Sequence, residues 1–254
     1  MSTGIAPASG SAAQTCCPSV ELRQYTLHPG KRDVLIDLFD REFVESQEAL
    51  GMKIIGQFRD LDNPDRFVWL RGFSDMSLRA RALTDFYGGP VWKAHRDAAN
   101  ATMIDSDNVL LLRPALPGSG FSLTEKIRAA PSTKQIPERV ILSTIYHFAD
   151  RVTDDFVEFF DKKVRPEVDA AGAAILANFV SEQSENTFSA LPVRENENVF
   201  VWFARFNNLA AYDSYLTTLA RSAGWREKTS KELACYLKGT SETLRLTPTA
   251  RSLI

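Results

Sequence analysis

The chain is written twice. Phe67-Val68-Trp69-Leu70-Arg71-Gly72-Phe73 returns as Phe200-Val201-Trp202-Phe203-Ala204-Arg205-Phe206, and Val91-Trp92-Lys93 returns at the same spacing as Gly224-Trp225-Arg226. Upstream, Leu38-Phe39-Asp40 matches Phe159-Phe160-Asp161, and Leu50-Gly51-Met52 matches Ala171-Gly172-Ala173. Gly51 and Gly172 stand 121 residues apart, whereas Trp69 and Trp202 stand 133 apart. The second copy therefore carries an insertion in a loop before Phe200. Two copies of about a hundred residues are two structural units, because a solenoid stacks more and shorter repeats.

Each copy reads as β-α-β-β-α-β. Val20 to Leu27 alternates and is rich in strand formers, and His28-Pro29-Gly30 is a turn. From Lys31, apolar residues recur at Val34, Leu35, Leu38, Phe39 and Phe43, the spacing of an amphipathic helix. That helix ends near Leu50-Gly51, with glycine as a left-handed cap. Met52 to Leu61 and Arg66 to Phe73 are strands. Ser74 or Asp75 caps a helix to about Tyr87, Pro90 opens another to about Thr102, and Asn108 to Arg113 is the last strand. The second copy repeats this as strand Val140–Phe148, helix Thr153–Ala171 with a kink expected at Pro166, strands Ala174–Glu182 and Val199–Phe206, helical segments from Asn208 to Lys238, and strand Glu242–Leu246.

Such a unit covers one sheet face with its two helices and leaves the other bare. Here the strands are apolar on both faces, since Val68 and Leu70 alternate with Phe67, Trp69 and Phe73. A bare apolar face seeks a partner sheet, and the second copy supplies it on the same chain. The expected fold class is α+β: two tandem ferredoxin-like β-α-β-β-α-β units packed as an intramolecular dimeric α/β barrel. The expected division is a disordered tail over 1–19, a first unit over 20–116, a linker over 117–138 rich in Pro, Gly, Ser and Thr, and a second, divergent unit over 139–248.

A net charge of −2 gives no basic footprint for nucleic acid, and no apolar run approaches the roughly 20 residues of a membrane span. The first nineteen residues hold no Lys or Arg, unlike a signal peptide or a mitochondrial presequence, so the expected compartment is the cytoplasm. The three cysteines, Cys16, Cys17 and Cys235, show no zinc spacing and read as free thiols.

The blocks Glu21-Leu22-Arg23-Gln24-Tyr25-Thr26-Leu27-His28-Pro29-Gly30-Lys31, Val68-Trp69-Leu70-Arg71-Gly72-Phe73, Trp92-Lys93-Ala94-His95-Arg96-Asp97-Ala98-Ala99-Asn100 and Asp107-Asn108-Val109-Leu110-Leu111-Leu112-Arg113-Pro114 resemble a NIPSNAP domain in order and content. The second copy resembles it only through Trp202, Trp225 and its helix pattern. The resemblance implies a dimeric α/β barrel. It implies little about activity: the wider superfamily includes cofactor-independent monooxygenases, haem-degrading enzymes and cyclases, and some bacterial members sit in biosynthetic pathways. Fold alone does not choose among these.

No nucleophile elbow, P-loop, dinucleotide fingerprint or metal-binding helix motif is present, so no cofactor and no metal is expected. His95, on the helix after Pro90, is a candidate general base. A haem would need an axial ligand such as His95 or His147. Strand alternation places Glu21, Arg23 and Tyr25 on one face, and Phe67, Trp69, Arg71 and Phe73 on one face of the third strand. An arginine inside a sheet core is costly unless paired. Arg71 and Arg23 therefore either hold a ligand carboxylate, phosphate or enolate, or pair with Glu21 or a neighbouring acid. Arg23, Arg71, His95 and Asn100 become Thr144, Ala204, Lys228 and Leu233 in the second copy, which puts any site in the first. The candidates are His95, Arg71 and Tyr25 for chemistry, and Arg23, Trp69, Tyr87, Asn100 and His147 for the pocket wall. The expected function is binding of an apolar or aromatic small molecule, with a cofactor-independent monooxygenase, cyclase or isomerase as the enzymatic form and a non-catalytic scaffold as the alternative. Homo-oligomerisation is left open.

Overall fold

The computed structural model describes residues 15–124, 126–131 and 133–254. The first copy supplies β1 (Ser19–Leu27), α1 (Arg32–Leu38), α2 (Val44–Glu48), β2 (Lys53–Asp60), β3 (Arg66–Phe73), α3 (Met76–Gly88), α4 (Pro90–Asn100) and β4 (Met103–Pro114). The second supplies β5 (Val140–His147), α5 (Asp154–Phe159), α6 (Arg165–Ala170), β6 (Ala174–Ser181), β7 (Val199–Phe206), α7 (Leu209–Arg221), α8 (Ser230–Tyr236) and β8 (Glu242–Pro248). Asp75, Thr153 and Asn208 accept a backbone N–H from Leu78, Phe156 and Ala211 at the starts of α3, α5 and α7, and Gly51 ends α2 at φ +85° as the left-handed cap.

The strands close into one barrel in the order β1-β3-β2-β8-β5-β7-β6-β4, antiparallel throughout. Each copy contributes four adjacent strands. The seams are β2 with β8, where Phe58 faces Pro248, and β4 with β6, where Leu112 faces Ser181. The strand faces sort as alternation requires. Val20, Leu22, Val68, Leu70, Ile141, Val201 and Phe203 fill the barrel interior. Tyr25, Phe67, Trp69 and Phe73 point outward under the first copy's helices, and Phe200, Trp202 and Phe206 do so under the second's.

Four expectations need correction. The tail expected over 1–19 lies outside the described residues up to 14, but from Thr15 the chain is built into the fold. The Cys16 N–H donates to Phe121 O (2.9 Å), Cys17 is buried, and a Cβ on Gly72 would overlap the Cys17 sulfur. Cys16 and Cys17 are bonded to each other rather than free, which their adjacency allows, and Cys235 is a free, exposed thiol. The connector over 117–138 is irregular but not a loose linker. Phe121 enters the barrel within 5.2 Å of Phe179 and 5.1 Å of Phe203 (ring centroids), and Arg128 donates to Ile54 O, Arg251 O and Glu48. Burial of one phenyl ring outweighs the linker composition there. The chain also continues past 248 as structure. Leu253 N–H donates to Ile55 O, and Ile254 joins the barrel interior.

Where a kink is expected at Pro166, the irregularity is a π-turn that does not depend on the proline. A π-turn spans Phe160–Val164, just before the proline, but the first copy has the same π-turn at Phe39–Phe43 with no proline near it. The extra residue of each π-turn re-aims the helix so that Phe39 with Phe43, and Phe160 with Val164, all face the sheet. The insertion falls between β6 and β7. The connection over 182–198 there answers to 61–65 between β2 and β3.

Candidate functional site

Glu21 on β1 lies under the first copy's helices, fully buried, with three arginines on its carboxylate. Arg23 Nη1 donates to Oε2 (2.9 Å), Arg71 Nε and Nη2 donate to Oε2 (3.0 and 2.6 Å), and Arg79 Nε donates to Oε1 (2.8 Å). All three guanidiniums are fully buried too. The register explains the meeting, since Glu21 stands opposite Arg71 and Arg23 opposite Trp69 across the β1–β3 ladder. Arg79 reaches in from the first turns of α3. Burial alone would raise the Glu21 pKa, but Arg71, Arg23 and Arg79 together hold it far below the usual carboxylate range.

One carboxylate against three guanidiniums leaves an excess of two buried positive charges. Aromatic faces take part of the cost. The Arg71 guanidinium lies 5.0 Å from the Trp69 ring centroid and that of Arg23 lies 5.5 Å from it, within cation–π range. Neutral acceptors take more: Arg71 Nη1 donates to Gln47 Oε1 (2.8 Å) and Arg23 Nε to Tyr25 Oη (2.9 Å). Burial raises the Tyr25 pKa, so its hydroxyl stays protonated and free to donate. Three buried donors find no acceptor among the described residues: Arg23 Nη2, Arg79 Nη2 and Trp69 Nε1.

Against this cluster lies a cavity of about 30 Å³, lined by Tyr25, Gln47 and Trp69 at the cluster and by Phe39, Phe43, Phe86, Tyr87 and Trp92 beyond. That is room for one or two waters, so the sheet–helix space of the first copy is closed in this conformation. Larger hollows lie elsewhere. One of about 210 Å³ runs between the 182–198 loop and β4, but its wall is lined with carboxylates (Glu182, Glu185, Glu195 and Glu197).

Of the residues singled out from sequence, the structure brings together Arg23, Arg71, Tyr25, Trp69 and Tyr87. It does not bring in His95, which stands partly exposed on α4 with Nε2 3.4 Å from Glu42 Oε2. Asn100 is exposed at the end of α4. His147 ends β5 in the second copy, 3.6 Å from Glu197. Of the two pictures drawn for the arginines, the structure shows the pairing: Arg23 and Arg71 bind Glu21, and cationic charge is left over. Sequence reasoning missed Arg79 and Gln47. The signal was present, since the same offsets turn Arg79 into Tyr212 and Gln47 into Val168, as they turn Glu21 into Leu142.

The second copy thus builds the same sheet–helix layer with Leu142, Thr144, Ala204, Tyr212 and Val168, and that layer is an apolar core. Its Trp202 Nε1 is also without an acceptor, but no cation lies beside it in the sheet, because Thr144 and Ala204 occupy the arginine positions. The inserted loop of the second copy reaches over to the first. Asn186 Oδ1 and Thr187 Oγ1 accept from Arg79 Nη1 (2.9 and 3.2 Å), and Phe188 stacks on Tyr87 at 5.8 Å between ring centroids. Tyr87 also lines the cavity, so the loop closes its outer wall.

Residues 20–116, which make up the first copy, match the NIPSNAP family model. No curated protein matches the chain. Among solved structures, a protein of Fusobacterium nucleatum subsp. nucleatum, described as a proposed monooxygenase, superposes with a TM-score of 0.55 at 9% identity over 92% of this chain and 93% of its own. A second proposed monooxygenase, from Lactobacillus acidophilus, gives 0.52 at 16% identity over 92% and 94%. An anthrone oxidase-like protein gives 0.50 at 11% over 91% of each chain. At these identities the likeness is one of fold: the dimeric α/β barrel, closed here within one chain. Among the described residues, no helix is long and apolar enough to cross a membrane, and no group of three His, Cys, Asp or Glu could hold a metal ion.

Proposed function

We propose that this chain, whose first copy matches the NIPSNAP family model, binds an apolar or aromatic small molecule between the sheet and the helices of that copy. One observation carries the reading. The buried Glu21–Arg23–Arg71–Arg79 cluster occurs in one copy only, while the other copy folds the same layer with apolar residues. A buried ionic cluster is no better for stability than well-packed apolar side chains of similar volume. Its presence beside an aromatic-lined cavity therefore points to use rather than to folding. The enzymatic form of the reading needs no cofactor: Tyr25 moves a proton, and the arginines hold an oxyanion. The oxidase and monooxygenase names belong to the fold neighbours and give this chain no substrate. A non-catalytic interaction module is the second reading, and the small size of the cavity favours it.

The test exchanges the cluster for its own counterpart. The variant Glu21→Leu, Arg23→Thr, Gln47→Val, Arg71→Ala, Arg79→Tyr gives the first copy the second copy's residues. It is expected to fold, with an unchanged far-ultraviolet circular dichroism spectrum. Ligand-observed NMR with indole, 1-naphthol and phenylacetate is expected to show binding to the natural chain and weaker binding to the variant. Equal binding by both proteins, or none by the natural chain, would refute the reading.

A further inference from the structure

We infer that the ligand carries a single carboxylate, seated on Trp69 Nε1 and the Tyr25 hydroxyl with the Arg23 guanidinium behind them; this rests on the small-molecule reading above. Tyr25 and Trp69 both line the cavity, and both are at least nine-tenths buried. Trp69 Nε1 has no acceptor, although the indole N–H of a buried tryptophan ordinarily finds one. The Arg23 guanidinium sits over both rings, 5.4 Å from the Tyr25 centroid and 5.5 Å from that of Trp69. Its Nε and Nη1 are taken by Tyr25 and Glu21, which leaves Nη2 as its open donor. The Tyr25 oxygen accepts from Arg23 Nε, so its hydroxyl hydrogen is directed elsewhere. Tyr25 and Trp69 thus present two donors to one apolar space, and Arg23, which is not on the wall, backs them with positive charge in excess of Glu21.

The chemistry of the wall selects the acid. The two wall donors, Trp69 Nε1 and the Tyr25 hydroxyl, match the two oxygens of a carboxylate. A phosphate monoester would bring three oxygens and a second charge, and no residue on the wall, which includes Phe39, Phe43, Phe86 and Trp92, is cationic. A neutral carboxamide has the same shape but would turn an NH2 toward donors. The same aromatic walls favour a flat, hydrophobic body behind the acid. Entry requires Tyr87 to leave its stack on Phe188 of the second copy's loop.

Dissociation constants for phenylacetate, phenylacetamide and phenyl phosphate, measured by ligand-observed NMR on the full chain, test this. Phenylacetate is expected to bind at least tenfold more tightly than either other probe. Trp69→Phe and Tyr25→Phe, which keep the rings and the Glu21 cluster, should each weaken phenylacetate severalfold and leave phenylacetamide unchanged. If phenylacetamide binds as tightly as phenylacetate, or both variants weaken the two probes alike, the carboxylate assignment is overturned while the small-molecule reading survives. Tighter binding of phenyl phosphate overturns it in favour of a dianion. Failure of every probe, with a crystal soaked in phenylacetate showing only a water on Trp69 Nε1, overturns both.

Discussion

Replacing Glu21 by Gln leaves the shape of the side chain and removes the one negative charge among three buried guanidiniums. In the natural chain that carboxylate receives four donor contacts from Arg23, Arg71 and Arg79, at 2.6–3.0 Å. Removing one member of a buried ion pair costs about 3–5 kcal/mol, because the partner charge stays buried. Here three charges stay, so the upper part of that range is expected. Domains are stable by only about 5–15 kcal/mol, and in a chain of this size each kcal/mol moves the melting temperature by about 2–4 °C. Glu21→Gln should therefore melt about 10–20 °C below the natural protein by calorimetry at pH 7. The effect has a pH signature. The folded Glu21 pKa is lowered, so its stabilisation is complete above the unfolded value near 4.5 and is lost as pH falls below that. The gap between the two proteins should narrow in acid. A drop of less than about 3 °C at pH 7, or a gap that widens below pH 4.5, would refute the account of Glu21 as the sole counter-charge.

Asp40, in the first π-turn, has its pKa raised from 3.8 to about 6 by burial, against the pull of Arg251. A raised acid pKa favours the protonated folded form, a contribution present below 3.8 and lost as pH rises through about 6. Asp40→Asn should therefore be more stable than the natural chain at pH 8, by about 1–2 kcal/mol after allowance for partial exposure, and indistinguishable at pH 4; urea unfolding at both pH values checks this. Residues 20–116 expressed alone should dimerise or aggregate, because Val20, Leu22, Val68 and Leu70 would lose the opposite half of the barrel; a soluble monomer in sedimentation would contradict that. His95→Ala should leave melting and ligand binding nearly unchanged, since His95 stands outside the cavity beside Glu42; a binding loss in the same NMR assay would return it to the site.

The duplication was legible in residues, and with it most of the architecture. Gly51 and Gly172 and the two Phe-Val-Trp strands stand at offsets that the elements reproduce, with β2 matched to β6 at 121 and β3 to β7 at 133. Period-two alternation in Phe67–Phe73 required two buried faces, and a second copy on the same chain left one economical way to bury the inner one. Those are local signals, carried by residues a few positions apart. The site was legible only in part. Arg23 and Arg71 announced themselves as charges inside strands, but Arg79 sits on a helix, where an arginine is ordinarily solvated, and only packing of α3 against the sheet at β3 puts it on Glu21. Phe121 and the 249–254 segment lie in stretches with no periodicity, and their burial depends on what the closed barrel leaves unfilled. His95 failed for the complementary reason: residue type promised a base, while the rotation of α4 turned it toward Glu42. The sequence determined which residues can form strands and helices and where charge must be compensated. The tertiary structure decided which charges share one carboxylate, because that depends on strand register and helix rotation, and neither is written in any short stretch of chain.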